Sequence, residues 1–297
     1  MSAAAVATSI GDALEAAGDA IAAAGGDTPR LDAEVMLGAA TGLDRAAIAA
    51  HPERQLEGPE AREFAAMVRR RVRREPVAYI TGRRGFRRIE LAVDRRVLVP
   101  RPETELLVEI AHELAPRRVL DVGTGSGAVA LAVADELPDA RVLATDTSAE
   151  ALAVATANAE RLGLTGRVRF AAGTLPDAAG TLPDETAARA GGSGPAPAFD
   201  LVLANLPYVS EAEWERLPPE IRTYEPRQAL VPGPTGLEAI SSLLDRIAAR
   251  PGFAAAVALE HGAGQADAVA RLAAGAGFEQ VEKRPDLAGI ERVVLAR

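Results

Sequence analysis

Asn205, Leu206, Pro207 and Tyr208 follow directly on the apolar run Phe199-Asp200-Leu201-Val202-Leu203-Ala204. An amide, a proline and an aromatic ring thus stand where a strand stops. Such a group can hold a flat substrate with a planar nitrogen: the Asn205 side-chain oxygen and the Leu206 carbonyl accept its N–H bonds, and Tyr208 covers its face. An amide nitrogen delocalises its lone pair into its own carbonyl and is a poor nucleophile. Accepting both N–H bonds fixes it in place and raises its electron density, and positioning carries much of such a reaction. Uncharged acceptors also suit the partial positive charge that develops on the nitrogen. The product nitrogen is acidic enough to lose its proton to water, so no histidine or shifted carboxylate is demanded. Pro207 stiffens the turn through its fixed φ.

A second segment, Asp121-Val122-Gly123-Thr124-Gly125-Ser126-Gly127, lies upstream between an apolar strand and a helix. Glycines there permit unusual backbone angles and close ligand approach, and the helix N–H groups face the bound molecule. Asp146 ends the next apolar run, where a carboxylate can accept hydrogen bonds from two ribose hydroxyls. A nucleoside cofactor follows. Gly123, Gly125 and Ala128 also satisfy a looser dinucleotide pattern, so the turn alone leaves the kind of cofactor open. Together the two segments point to methyl transfer to an amide or exocyclic amine nitrogen.

These groups need a scaffold, and the chain supplies an alternating one. Candidate strands at 119–122, 141–144, 168–170, 201–203 and 254–259 are separated by helical patterns, among them 127–137, 149–162 and 236–249. Segments 278–281 and 292–295 could add a final pair. The alternation predicts an α/β fold built on a doubly wound, mostly parallel, seven-stranded sheet. Ahead of it, Ile10, Leu14, Ala17 and Ile21 mark a helix over about 9–23; Leu31, Val35 and Met36 mark a second, closed by Gly42; Phe64, Met67, Val68 and Val72 mark a third. A hairpin is expected where Ile89, Leu91 and Val93 alternate, turning at Asp94-Arg95-Arg96 into Val97-Leu98-Val99. Pro100-Arg101-Pro102 ends it, and a helix opens with Glu103 and Glu105 in its first turn, where negative charge suits the helix dipole. The expected division is a helical domain over 1–78, a hairpin linker over 79–103 and a catalytic domain over 104–297. Residues 178–198, rich in Ala, Gly, Pro and Ser, read as an inserted flexible loop.

Composition narrows the function classes. The 297 residues contain no cysteine, which excludes disulfides, thiolate zinc sites and a cysteine nucleophile. His51, His112 and His261 show no metal-ligand spacing, so no metal is expected. The net charge of −9 argues against broad nucleic-acid binding, which rests on phosphate neutralisation. Against that balance stand Arg69, Arg70, Arg71, Arg73 and Arg74, then Arg83, Arg84, Arg87 and Arg88. They read first as a solvated helix face and hairpin, and second as a docking surface for an acidic partner or ribosomal RNA. No run of about eighteen strongly apolar residues is present, so no membrane span is expected. The opening Met1-Ser2-Ala3-Ala4-Ala5 lacks the basic region of a secretory signal, and a cytoplasmic location is expected. Glu260-His261-Gly262 after the fifth strand reads as a strand-end turn rather than an acid–base pair.

The Gly-x-Gly-x-Gly turn behind Asp121 and the Asn-Leu-Pro-Tyr segment resemble those of S-adenosylmethionine-dependent methyltransferases. With Glu75-Pro76-Val77-Ala78-Tyr79-Ile80-Thr81-Gly82 and Val99-Pro100-Arg101-Pro102-Glu103-Thr104-Glu105, most of the chain resembles the peptide chain release factor N5-glutamine methyltransferases. That resemblance implies a Rossmann-like class I methyltransferase domain behind a helical substrate-recognition domain and a linking hairpin. It implies S-adenosyl-L-methionine as cofactor and class-one release factors as protein substrate, methylated on the glutamine of their Gly-Gly-Gln tip. Carried over by position, it implies that Asp121, Gly123, Thr124, Gly125, Ser126, Gly127, Asp146, Thr174 and Asn205 bind the cofactor, and that Asn205, Leu206, Pro207 and Tyr208 grip the glutamine amide, with Asn205, Pro207 and Tyr208 catalytic. The family usually has proline where Leu206 stands; leucine keeps the accepting carbonyl. The competing readings are an N6-adenine or other exocyclic-amine methyltransferase acting on RNA or DNA, and a cofactor-binding docking module without turnover.

Overall fold

The computed structural model describes residues 8–175 and 197–297. The expected loop over 178–198 and the opening Met1–Ala5 segment therefore lie, but for residues 197 and 198, outside the described residues. The chain divides into two compact units, one taking in the chain up to Arg83 together with Pro218–Tyr224, the other Arg84–Leu217 with Glu225–Arg297.

The first unit is helical: α1 (Ile10–Ala23), α2 (Pro29–Thr41), α3 (Arg45–Ala50), α4 (Gly58–Val72) and α5 (Val77–Thr81). The Ser9 hydroxyl accepts from the Asp12 N–H and starts α1, while Gly42 ends α2 in the left-handed region at φ 71°. Ile10, Leu14, Ala17 and Ile21 pack on Ala33, Met36, Leu37, Phe64 and Ile80. The expected stripe on α2 is wrong in phase. Leu31 and Val35 are exposed, and Asp32, Ala33, Met36 and Leu37 face inward. An acid belongs on that face because Arg71 of α4 meets it.

The solvated reading of the arginine run holds for Arg69, Arg73, Arg83 and Arg88, which are exposed, but not for Arg71, which is buried. Its Nε donates to Asp32 Oδ2 at 2.7 Å and its Nη1 to Glu220 Oε1 at 2.9 Å, with both side chains largely shielded from solvent. Arg70 forks onto Glu75, and Arg74 donates to the other oxygen of Glu220. Glu220 sits on the short helix within Pro218–Tyr224, so these arginines fasten a distant stretch of chain into the helical unit. Arg71→Met strands the Asp32 carboxylate and is expected to cost about 3–5 kcal/mol, read as a lower urea midpoint for the helical unit.

The second unit opens within β1 (Arg83–Phe86), which pairs with β2 (Ile89–Ala92) in a two-stranded sheet. The hairpin thus lies earlier than expected. Its turn is Arg87-Arg88, with Arg87 at φ 53°, and Val97-Leu98-Val99 forms no strand. The Arg87 N–H donates to Glu105 and its guanidinium forks onto Glu136, so this arginine too is internally paired.

A short 3-10 turn at Pro102–Thr104 leads into α6 (Glu105–Leu114). Alternation follows: β3 (Arg118–Val122), α7 (Ala128–Glu136), β4 (Arg141–Asp146), α8 (Ala149–Leu162), β5 (Val168–Ala172) and β6 (Leu201–Ala204). After α9 (Glu211–Trp214) and α10 (Pro219–Tyr224) come α11 (Glu238–Ala248), β7 (Val257–Glu260), α12 (Ala266–Gly275), β8 (Val281–Pro285) and β9 (Glu291–Ala296). The sheet order is β5-β4-β3-β6-β7-β9-β8, and the pairs are parallel except where β9 meets its two neighbours. The doubly wound, mostly parallel, seven-stranded sheet is as expected. The penultimate strand begins at Val281 rather than ending there; Phe278 packs on the core from the connection before it.

Leu120, Val202 and Val257 of the sheet pack with Leu243 and Leu244 of α11 and Val269 of α12. Helix α7 presents Ala128 through Ala134 as an unbroken buried run, in which alanines alternate with Val129, Leu131 and Val133. Buried Asn158 of α8 accepts from the Ala92 N–H and donates to the Ala92 and Ser126 carbonyls, which ties the hairpin to the glycine turn. Among the described residues no helix is long and apolar enough to cross a membrane.

Candidate active site

The register places the chemistry. Val122 of β3 is level with Ala204 of β6, which is level with Leu259 of β7. One residue further along each parallel strand stand Gly123, Asn205 and Glu260, in a row at the carboxyl edge of the sheet. Strand order reverses between β3 and β6, and in open α/β sheets ligands bind at that switch point. A Cβ added to Gly123 would lie 3.0 Å from Leu206 Cδ2 and 3.7 Å from the Asn205 carbonyl oxygen. The two segments paired by sequence are therefore neighbours in space.

Gly123, Gly125 and Gly127 all adopt left-handed φ, at 76°, 57° and 85°. The turn hangs from β4: the N–H groups of Gly123 and Thr124 both donate to the Thr145 carbonyl, at 2.8 and 2.9 Å. The two outer glycines serve packing. A Cβ on Gly127 would fall 2.8 Å from Leu131 Cδ1, whereas one on Gly125 would meet only open space. Gly125 is thus the point of the turn that leaves room for a ligand.

Asp121 lies behind the turn. Its Oδ2 accepts from the Thr124 hydroxyl at 2.6 Å and the Ala130 N–H at 3.2 Å. Burial pushes its carboxyl up to about 7, against the pull of those two donors, and the nearby Asp146 charge adds to the rise. Asp121 braces the loop and the start of α7. Asp146 is only half-buried; its Oδ2 accepts from the Gly125 N–H at 2.9 Å and its Oδ1 from the Ser148 N–H at 2.8 Å. Each oxygen keeps a lone pair, so the donor set fits a ribose diol beside the open Gly125 position. Thr124 and Ser126 are buried, and Ser126 contributes its carbonyl to Asn158. Thr174 contacts the site's frame through its carbonyl, which accepts from the Thr145 hydroxyl at 2.9 Å.

At the end of β6, Asn205 Nδ2 donates to Thr104 Oγ1 at 2.9 Å, and its Oδ1 has no hydrogen-bond partner among the described residues. Leu206 points into the core against Gly123. Leu206→Ala removes that wedge and is expected to cost about 2–4 kcal/mol, seen as a lower thermal midpoint. Pro207 is half-buried. The Tyr208 carbonyl accepts from Gln265 Nε2 at 2.9 Å, and its hydroxyl donates to Glu260 Oε1 at 3.3 Å. Burial, with the Glu260 charge next, drives the tyrosine pKa well up, so the hydroxyl keeps its proton.

Thr104, Glu260 and Gln265 are residues that sequence reasoning missed. The Glu260-His261-Gly262 segment does turn at a strand end, with the Gly262 N–H donating to Gln265 Oε1. Yet Glu260 also reaches Tyr208 of the Asn205–Tyr208 segment. The signal was its place at the end of the strand after the one carrying Asn205.

Comparison with known proteins agrees with this arrangement. Residues 12–82 match the PrmC N-terminal domain and residues 119–224 a methyltransferase domain. The chain is 39% identical to the release factor glutamine methyltransferase of Nitratidesulfovibrio vulgaris over 91% of its own length and 89% of that protein. It is 39% identical to the one of Caulobacter vibrioides over 95% and 94%, and 39% identical to the one of Cereibacter sphaeroides over 96% and 97%. Among solved structures, the hMettl16 catalytic domain in complex with MAT2A 3'UTR hairpin 6 superposes with a TM-score of 0.54 at 16% identity, covering 86% of this chain and 92% of that one, a likeness of fold alone. The enzyme is a class I methyltransferase whose cofactor is S-adenosylmethionine, and its chain belongs to the release factor glutamine methyltransferase family.

Proposed function

We propose that this chain methylates the side-chain amide nitrogen, N5, of the glutamine in the Gly-Gly-Gln motif of class-one peptide chain release factors. The observation that carries the proposal is the placement of Asn205, whose backbone lies beside the glycine turn and whose side-chain oxygen has no hydrogen-bond partner among the described residues. When bound there, S-adenosylmethionine supplies a methyl group on a sulfonium, open to in-line attack by nitrogen.

The chain's own work is holding. Asn205 Oδ1 and the Leu206 carbonyl accept the two amide N–H bonds, and Tyr208, its hydroxyl tied to Glu260 and its carbonyl to Gln265, presents a fixed ring face to the planar amide. Nitrogen gains the methyl carbon as the carbon–sulfur bond breaks, and the surplus nitrogen proton passes to water. Gly125 and Asp146 hold the nucleoside part, with Gly123, Gly127, Asp121, Thr124, Ser126 and Thr174 framing the loop. A translation factor as substrate places the activity in the cytoplasm. No stable nucleic-acid binding is expected, and the internal pairing of Arg70, Arg71, Arg74 and Arg87 supports that.

The test is methyl transfer from labelled cofactor, offered a release factor, RNA or DNA in parallel. Label on the release factor alone is expected. Label on nucleic acid would reverse the assignment, and cofactor binding without label on any of them would reduce the chain to a docking module.

A further inference from the structure

The proposed grip includes a carbonyl whose own peptide unit offers no donor to tie down. Pro207 follows Leu206, so the peptide that carries the Leu206 carbonyl has no N–H group. The direction of that carbonyl is inherited from the residues on either side. Upstream, the Leu206 side chain is wedged against Gly123 and the Asn205 amide is tied to Thr104. Downstream, the peptide joining Tyr208 to Val209 is held at both ends. Its carbonyl accepts from Gln265 Nε2 at 2.9 Å, and its N–H donates to the Leu230 carbonyl at 2.9 Å.

Gln265 stands just before α12 and works in two directions. Its side-chain oxygen accepts from the Gly262 N–H at 2.9 Å while its nitrogen donates to Tyr208. A backbone N–H only donates and a carbonyl only accepts, so these two partners dictate which way round the amide sits. Two glycines make room for it. A Cβ on Gly236, at φ 81°, would run into the Tyr208 carbonyl oxygen and lie 2.9 Å from Gln265 Nε2. One on Gly262 would lie 3.1 Å from Gln265 Oε1 and 3.3 Å from Tyr208 Cδ2, so the tyrosine ring rests close to the Gly262 backbone.

We propose that Gln265 is a positioning residue for the methyl transfer: its amide ties the Tyr208 carbonyl to the Gly262 turn, and so sets the direction of the Leu206 carbonyl and the plane of the Tyr208 ring. This rests on the Asn205–Tyr208 segment being the substrate grip. The bond from the Tyr208 hydroxyl to Glu260, at 3.3 Å, holds the far end of the ring and leaves the backbone to Gln265.

The test compares two substitutions that differ by one hydrogen bond. Gln265→Met keeps the length of the side chain and loses both bonds. Gln265→Glu keeps an oxygen for the Gly262 N–H and, while ionised, turns an acceptor toward the Tyr208 carbonyl. The readout is kcat for release factor methylation at saturating cofactor and release factor, relative to wild type at the same pH. Both variants are expected to fall about 100-fold at neutral pH, the scale of a misplacement of roughly 1 Å. Calorimetric cofactor affinity is expected to stay at the wild-type value, since the glycine turn keeps its own bonds to Thr145 and Asp146. A protonated carboxyl can donate, so Gln265→Glu is expected to regain about 10-fold as the pH falls and it takes up its proton, while Gln265→Met stays flat. Gly236→Ala, which pushes on the Tyr208 carbonyl from another side, is expected to lower kcat in the same way.

A kcat within a few-fold of wild type in Gln265→Met, no acid recovery in Gln265→Glu, or a loss of cofactor affinity equal to the loss of kcat would overturn the proposal. Should Gln265→Met fail to fold, the Gln265→Glu profile decides. A wild type that methylates no release factor would instead sink the function itself.

Discussion

Asn205→Ala is expected to lower kcat for methylation of the Gly-Gly-Gln glutamine by about 1,000-fold, the scale seen when one preorganised polar contact to a reacting centre is removed. Alanine deletes the side-chain oxygen that we propose accepts an amide N–H and also frees the Thr104 hydroxyl. It leaves the Leu206 carbonyl, the Gly123 contact and the cofactor loop in place. Cofactor affinity and the thermal midpoint are therefore expected to stay close to wild type while turnover collapses. Equal losses in cofactor binding and turnover would mean that Asn205 serves the cofactor rather than the substrate. Steady-state kinetics beside calorimetry separates the two.

Asp146→Ala is expected to act on the other side of the site, weakening S-adenosylmethionine binding about 100-fold through the loss of hydrogen bonds to a charged acceptor. Its two oxygens also receive the Gly125 and Ser148 N–H groups, so the substitution loosens the ligand-facing point of the turn as well as removing the proposed ribose contact. The chain should still fold, because Gly123 and Thr124 remain hung from Thr145 and Asp121 still braces Thr124. Calorimetric titration reads the effect. An affinity within a few-fold of wild type would place the ribose elsewhere.

Much of this arrangement is legible in the chain because it is local. Strand–turn–helix with three glycines and an acid at the next strand end defines a nucleotide loop within a short stretch, and the alternation around it defines the parallel sheet. Helix α8 falls where its periodicity puts it. What the sequence could not show depends on distant partners. Leu31 and Val35 look like a buried stripe, yet the inward face carries Asp32 because Arg71 lies across from it. The arginine run looks solvated, and Arg69 and Arg73 are exposed, yet Glu220 reaches Arg71 and Arg74 from far along the chain. The hairpin was misplaced because Arg87, in the left-handed region without being glycine, gave no turn signal; its conformation is supported by Glu105 and Glu136.

The same holds for the site. Asn205 and Tyr208 announce themselves by residue type and position, but a glutamate at a strand end is ordinary, and a threonine in a proline-rich turn more so. Their meaning comes from β7 lying beside β6 in register and from the Pro102–Thr104 turn meeting Asn205, neither of which has a local signature.

The most direct measurement is a crystal structure of the enzyme with S-adenosylhomocysteine and a Gly-Gly-Gln peptide. The account predicts the glutamine side-chain nitrogen within hydrogen-bond distance of both Asn205 Oδ1 and the Leu206 carbonyl, with Tyr208 against the amide plane and the nitrogen in line with the cofactor sulfur. A glutamine seated away from Asn205, or an Asn205 presenting Nδ2 to it, would contradict it.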